Sequence, residues 1–64
     1  MKDIKDMNDD ELRVEVDELG MLLQVNKDTS TYDNFNWNGL DYWDAERRHY
    51  RIVRELIIRI IKKG

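Results

Sequence analysis

Glu46 and His49 are the residues whose types and spacing fit metal chemistry in this chain. They form an E-x-x-H motif, and a spacing of three residues places both side chains on one face of a helix. In carboxylate-bridged metal bundles, such a motif from two helices joins carboxylates from two further helices around the ions. A symmetric dimer would repeat the motif, and Glu15 would supply the remaining carboxylates. The spacing therefore predicts, as one alternative, a metal site of Glu15, Glu46 and His49.

This set of side chains resembles the ligands of the two-helix, dimer-assembled members of the ferritin-like group. The resemblance implies, as an alternative function, a carboxylate–histidine metal-binding four-helix protein. His49 is the only His in the chain, and it falls near the centre of an apolar helix face. There an imidazole ring is more often packed in the core and hydrogen-bonded to its neighbours. We therefore favour a core role for His49 and expect no cofactor.

No other catalytic set is present in the sequence. The chain has no Cys, which excludes a thiol nucleophile, a disulfide and a thiolate zinc site. It also has no Gly-rich phosphate-binding loop. We therefore expect a protein that is not an enzyme. The sequence favours a small accessory, regulator or inhibitor that acts by binding another protein of unknown identity.

The charged residues are divided unevenly along the chain. Residues 1–44 carry four basic and twelve acidic side chains, whereas residues 45–64 carry seven basic and two acidic ones. A basic stripe on the second helix suggests a nucleic-acid-binding hairpin as a further alternative. We disfavour it because Asp41, Asp44 and Glu55 share that helix face and the net charge is −3. The exposed arginines predicted to contact a protein partner are Arg47, Arg51 and Arg54.

The stretch YDNFNWNGLDYW, residues 32–43, contains five of the six aromatic side chains. Trp37 and Tyr42 are spaced to close a hydrophobic staple around a helix start at Asn38, and Trp43 begins the apolar face that follows. Tyr32 and Phe35 have no such role. They either cover the open end of the core or contact a partner, since aromatic side chains often dominate protein interfaces. We name both as candidate partner-binding residues.

Two helices position all of these residues. Helix 1 is predicted over residues 9–25, capped by Asn8 with Glu11 reaching back to the cap. Helix 2 is predicted over residues 39–62. Gly20 in the interior of helix 1 costs about 1 kcal/mol of helix stability relative to Ala. It therefore marks either a close approach of two backbones or an early helix end. The fold class is therefore all-α, an antiparallel two-helix hairpin forming one domain, residues 1–64.

The apolar surface of helix 2 is too wide for a single partner helix. Its apolar residues cover about half of the helix circumference, which would leave a large patch in water. Pairing two hairpins into a dimeric four-helix bundle would cover it. The residues predicted to form the core and the dimer interface are Leu12, Val16, Leu19, Leu23, Trp43, His49, Val53, Leu56, Ile57 and Ile60.

The sequence also suggests where the protein resides. No apolar run approaches the roughly 18 residues of a membrane span, and the acidic start differs from a secretory signal. We therefore expect a cytoplasmic homodimer that does not bind membranes.

Overall fold

The computed structural model describes residues 2–63, so Met1 and Gly64, the ends of the predicted domain, lie outside the described residues. A 3-10 turn at Ile4–Asp6 precedes helix α1, Asp9–Thr29. A second 3-10 turn at Tyr32–Asn34 precedes helix α2, Tyr42–Lys63. The two helices pack against each other, and they are antiparallel because Asp9 at the start of α1 pairs with Lys63 at the end of α2. The predicted all-α helical hairpin is confirmed.

The start of α1 has the predicted capping box. The Glu11 amide donates to the Asn8 side-chain oxygen at 2.8 Å, and the Asn8 amide donates to the Glu11 carboxylate at 3.0 Å. These bonds satisfy two of the amides that a helix start leaves without partners. The Asn8 amide and the Lys2 ammonium together lower the pKa of Glu11.

Helix α1 ends four residues later than the predicted residue 25. The apolar pattern stops at Val25, but polar side chains continue the helix by bonding to carbonyls one turn back. Asn26 donates to the Leu22 carbonyl at 2.8 Å, and Thr29 donates to the Val25 carbonyl at 2.9 Å. Ser30 then adopts a left-handed backbone with φ of 55° and ends the helix. Gly20 therefore does not end α1.

Helix α2 begins three residues later than the predicted residue 39, and the predicted cap is wrong. Asn38 and Gly39 have positive φ values of 52° and 85°. They form a tight turn between Trp37 and Leu40, whose backbones exchange hydrogen bonds of 3.0 and 2.9 Å. An Asn-Gly pair is typical of such turns because both residues tolerate positive φ.

Asp41 is the residue that caps α2. Its carboxylate accepts from the Asp44 amide at 2.8 Å, and its carbonyl accepts from the Ala45 amide at 2.9 Å. With the cap at Asp41, the positions of a hydrophobic staple shift to Leu40 and Ala45. The predicted staple between Trp37 and Tyr42 is therefore wrong.

The core lies between the two helices and beneath the loop that joins them. Leu12, Leu19 and Ile52 are fully buried at its centre. Val16 and Leu56 are only partly buried and pack against this cluster. Neither helix, within the described residues, carries an apolar stretch that would reach across a bilayer. The other buried side chains of the core are Met7, Leu23, Phe35, Tyr42 and Ala45.

Candidate interaction surface

The two sides of the hairpin differ, and the first is covered by the N-terminal segment. Arg48 of α2 donates to the Glu15 carboxylate of α1 at 2.7 Å and to the Lys2 carbonyl at 3.0 Å. The same guanidinium lies 5.9 Å from the centre of the Trp37 ring, within the range of a cation–π contact. Arg48 therefore joins both helices, the N-terminal segment and the loop.

A second clamp lies at the far end of α2. Arg59 donates to the Asp9 carboxylate at 3.0 Å, to Glu55 at 2.9 Å and to the Ile4 carbonyl at 3.4 Å. Lys63 contacts the second Asp9 oxygen at 2.7 Å. Hydrogen bonds from Lys63 and Arg59 lower the pKa of Asp9, and the two carboxylates raise the pKa of Arg59.

The second side of the hairpin is left open. We call it the open side and define it by a line along α2 with helical spacing, His49, Val53, Leu56 and Ile60. At the α1 edge of this side, a Cβ built on Gly20 would lie 3.2 Å from His49 Nε2. Glycine thus allows the imidazole to approach the α1 backbone closely. Of the two interpretations of Gly20, a close approach and an early helix end, this is the first.

The open side exposes apolar side chains that the sequence assigned to the core or dimer interface. Val53 is 36% exposed and Ile60 is 66% exposed, while Leu56 is partly buried. Leu56 and Ile60 also line a groove with Arg13 of α1 and with the ion-paired residues Asp9, Arg59 and Lys63. A surface with these exposures fits an interface, because such side chains gain free energy when a partner removes them from water.

A second exposed line runs along the edge of α2 that faces away from α1. We call it the outer line of α2. Its residues are spaced alternately by four and three, which places them on one helix face. They are Trp43, Arg47, Tyr50, Arg54, Ile57 and Ile61, and all are exposed.

The arginines predicted to bind a partner lie on or beside this outer line. Arg47, Arg51 and Arg54 are exposed, and within residues 2–63 they form no ion pair. Arg48 and Arg59, by contrast, form ion pairs with acidic residues of α1. The basic residues of α2 are thus divided between two structural clamps, formed by Arg48, Arg59 and Lys63, and four exposed cations, Arg47, Arg51, Arg54 and Lys62.

The aromatic residues of the loop form one cluster with the start of α2. Phe35 and Tyr32 meet the Tyr42 ring edge-on, with centroids 5.8 and 4.7 Å away. Phe35 is buried, at 9% exposure. It therefore covers the core, and its prediction as a partner contact is corrected. Tyr32 is partly buried and packs against the core.

Trp43 is corrected in the opposite direction. It was predicted to pack in the core, but it is 59% exposed and stacks on Tyr32 at a centroid distance of 5.7 Å. Tyr42 shares the buried face of α2 with Ala45 and Ile52, and Trp43 lies about 100° further round the helix, where it points outward. Burial of Tyr42, followed by the nearby Glu46 carboxylate, raises the pKa of the Tyr42 phenol.

The predicted metal ligands are not brought together in one chain. Glu15 is held by Arg48 on the covered side, whereas His49 lies against Gly20 on the open side. Among residues 2–63, no group of three His, Cys, Asp or Glu side chains is placed to hold a metal ion. Glu46 is exposed on α2.

Sequence reasoning missed the two clamps and the cap at Asp41. The Asn-Gly pair at residues 38 and 39 was an available signal for a turn followed by a helix start. Apart from the Glu55–Arg59 pair, which is four residues apart, the clamps had no local signal, because their other pairs are 33 to 55 residues apart in the chain. Comparison of the chain with protein-family models, curated proteins and solved structures finds no match.

Proposed function

We propose that this protein is a small, non-catalytic protein-binding accessory, regulator or inhibitor that acts as a helical dimer. The observation that carries the proposal is the amount of apolar side chain that α2 leaves in water. A small monomer rarely exposes a contiguous apolar surface of this kind unless the surface binds something. Helix α2 offers two such surfaces, the open side and the outer line of α2.

The open side suits the symmetric contact. The N-terminal segment covers only one side of the hairpin, so two copies can bring their open sides together into a four-helix bundle. A two-fold contact of this kind uses the same patch on both copies. Val53 and Ile60 are its exposed apolar residues, and His49 lies beside them. The dimer therefore includes four residues of the predicted interface, His49, Val53, Leu56 and Ile60.

Sedimentation equilibrium at micromolar concentration tests the dimer. The wild-type protein should sediment as a dimer, and Ile60→Asp should sediment as a monomer, because the substitution removes apolar area from the contact and takes a carboxylate out of water. The monomer should keep its helical circular dichroism, since Ile60 is 66% exposed in a single hairpin.

The matched control is Val14→Asp, which places the same charge at an equally exposed position, 65%, on the other helix. This variant should remain dimeric at micromolar concentration. A monomeric wild-type protein, or an Ile60→Asp dimer as tight as wild type, would contradict the proposed dimer.

The outer line of α2 suits the partner protein. Trp, Tyr and Arg are the residue types most enriched among interface residues with large energetic effects, and Trp43, Arg47, Tyr50 and Arg54 occupy this surface. The test is affinity capture from the native host with wild-type bait and with an Arg47→Glu, Arg54→Glu bait. A protein retained by the first and lost by the second supports this surface, whereas equal retention assigns binding elsewhere.

A further inference from the structure

Helix α1 also has an exposed apolar line, and it lies on the edge of the hairpin that faces away from α2. Val14, Met21 and Val25 are 65%, 64% and 53% exposed. Their spacing of seven and four residues places them on one face, opposite the buried leucines of α1. We call this the outer line of α1. Exposed acidic side chains flank it, namely Asp10, Asp17, Glu18 and Asp28.

The outer lines of α1 and α2 carry opposite charges, and apolar residues lie beside the charged ones on both. Each alternates apolar with charged positions along one helix face, but the charges of α1 are acidic and those of α2 are basic. Asp17 and Glu18 form no ion pair within the described residues, and neither do Arg47 and Arg54. Opposite charges left unpaired on two surfaces favour their association and orient it.

We propose that the outer line of α1 in one copy packs against the outer line of α2 in the next copy. The proposal rests on the proposed function in one respect, that the outer line of α2 is a protein-binding surface, and it names a second copy of this chain as the partner.

We expect the two helices to pack antiparallel, because apolar residues then face apolar residues and an acid faces a base at the centre of the contact. When Met21 faces Tyr50, the three central opposed positions join an acid with a base or two apolar groups, whereas at the ends Asp10 faces Ile61 and Asp28 faces Trp43. The opposed pairs are Asp17–Arg54, Met21–Tyr50 and Val14–Ile57. Antiparallel packing also places opposite ends of the helix dipoles side by side.

The register between copies matches the register within one hairpin. Inside the hairpin Gly20 faces His49, and between copies Met21 faces Tyr50, one residue further along each helix. At a rise of 1.5 Å per residue, neighbouring copies are displaced by about 3 Å along the helix axes. Copies can therefore continue side by side with helices alternating in direction.

This contact cannot close on itself in a pair of copies. The two outer lines lie on opposite edges of the hairpin, so one copy uses α1 toward one neighbour and α2 toward another. Such head-to-tail contacts build rings or open arrays. A contact between single helices lies at the small, weak end of protein interfaces, so assembly should develop at high micromolar to millimolar concentration.

Two complementary variants test the proposal. Asp17→Arg, Glu18→Arg destroys the acidic outer line of α1 and keeps the basic one. Arg47→Glu, Arg54→Glu destroys the basic outer line of α2 and keeps the acidic one. All four positions are exposed, and matching circular dichroism spectra would verify that both variants fold. The readout is weight-average mass by sedimentation equilibrium over the concentration range in which wild type assembles.

Each variant alone should keep the mass that wild type has at micromolar concentration. An equimolar mixture should have at least twice that mass. Mixing joins opposite charges across the α1–α2 contact again. Because the reversed charges also let α1 attract α1 and α2 attract α2 between the two variants, a chain with all four substitutions identifies which lines meet, since only an α1–α2 contact then joins opposite charges. The affinity of this association should fall severalfold between low salt and about 0.5 M salt, because exposed charges are screened. A chain carrying all four substitutions should regain self-assembly, since its charges are exchanged rather than removed.

A mixture that keeps the mass of the separate variants overturns the proposal. If that result accompanies a foreign protein captured through Arg47 and Arg54, the protein-binding surface stands and its assignment to a second copy fails. If the mixture doubles in mass and the chain with all four substitutions self-assembles, while Ile60→Asp leaves wild-type stoichiometry unchanged at micromolar concentration, the head-to-tail contact stands and the symmetric dimer fails.

Discussion

At the residue scale, the aromatic side chains divide their roles according to which way each one faces. Phe35 lies in a loop without periodic pattern, yet it is buried against Tyr42. Trp43 lies in a helix with a strong apolar pattern, yet it is mostly exposed. Phe35 packs on Tyr42 at the buried face of α2, whereas Trp43 lies about 100° further round the helix. Residue type alone is therefore a poor guide to the contribution of these side chains to stability.

Comparing Phe35→Ala with Trp43→Ala measures how much a buried and an exposed aromatic side chain contribute to the free energy of unfolding. Phe35→Ala should cost about 3 kcal/mol or more, because it leaves a cavity in the core. That loss would largely unfold a domain of this size, whose stability rarely exceeds about 3–5 kcal/mol. Trp43→Ala should cost about 1 kcal/mol or less, as expected for an exposed position. Urea unfolding followed by circular dichroism gives both values, and equal losses would contradict the burial pattern.

The contact between Gly20 and His49 predicts an energetic coupling between these two residues. Gly→Ala in a helix interior gains about 1 kcal/mol, but the new Cβ of Gly20→Ala would lie 3.2 Å from His49 Nε2 and would displace the ring. The gain should therefore be larger in a His49→Ala background than in wild type. A double-mutant cycle by urea unfolding measures the difference, and additive effects would show that the ring moves without cost.

At the scale of the elements, polar side chains set the helix ends more firmly than the apolar pattern does. Helix α1 continues past its last apolar residue because Asn26 and Thr29 bond to carbonyls of the previous turn. Helix α2 starts late because Asn38 and Gly39 are used in a turn. The helix ends therefore depend on side-chain hydrogen bonds and on positive φ, which the spacing of apolar residues does not report.

Ser30→Gly should stabilise the end of α1. Ser30 has a left-handed backbone with φ of 55° and ψ of 38°, a conformation that favours glycine because a Cβ there is crowded. We expect a gain of about 0.5–1 kcal/mol. The control is Lys27→Gly in the same last turn but with helical backbone, which should lose about 1 kcal/mol. Thermal unfolding distinguishes the two, and a loss in both variants would argue against strain at Ser30.

At the scale of the whole molecule, charged clamps join parts of the chain that are far apart in sequence. The largest of them joins Asp9 at the start of α1 to Arg59 and Lys63 near the end of α2. Because the same Arg59 bonds to the Ile4 carbonyl, this clamp also holds the N-terminal segment on the covered side. One side of the hairpin is therefore covered and the other is left open.

Stability should fall at acidic pH through Asp9. Its folded pKa lies below its unfolded value of about 3.9, since Lys63 and Arg59 stabilise the carboxylate. Such a group contributes stability above the unfolded pKa and loses it as pH falls through the folded pKa. Asp9→Asn should therefore melt below wild type at pH 7, and the difference should shrink from about pH 4 downward. Thermal melts from pH 7 to pH 2 provide the measurement, and a difference that stays constant with pH would contradict the clamp.

The sequence by itself determined the elements that depend on local pattern. The capping box at Asn8, the apolar stripe of Leu12, Leu19 and Leu23 and the long amphipathic second helix together required an all-α hairpin. The sequence also indicated that α2 has more apolar surface than α1 can cover. These features follow from hydrogen bonds and spacing within a few residues, which a sequence displays directly.

The tertiary structure alone decided which charged and aromatic residues serve the fold and which remain at the surface. Arg48 and Arg59 became clamps while Arg47 and Arg54 remained exposed, although all four lie in one basic helix. The physical reason is that each clamp depends on partners more than thirty residues away and on which side of α2 the N-terminal segment covers. Neither the position of these partners nor the covered side can be read from local spacing.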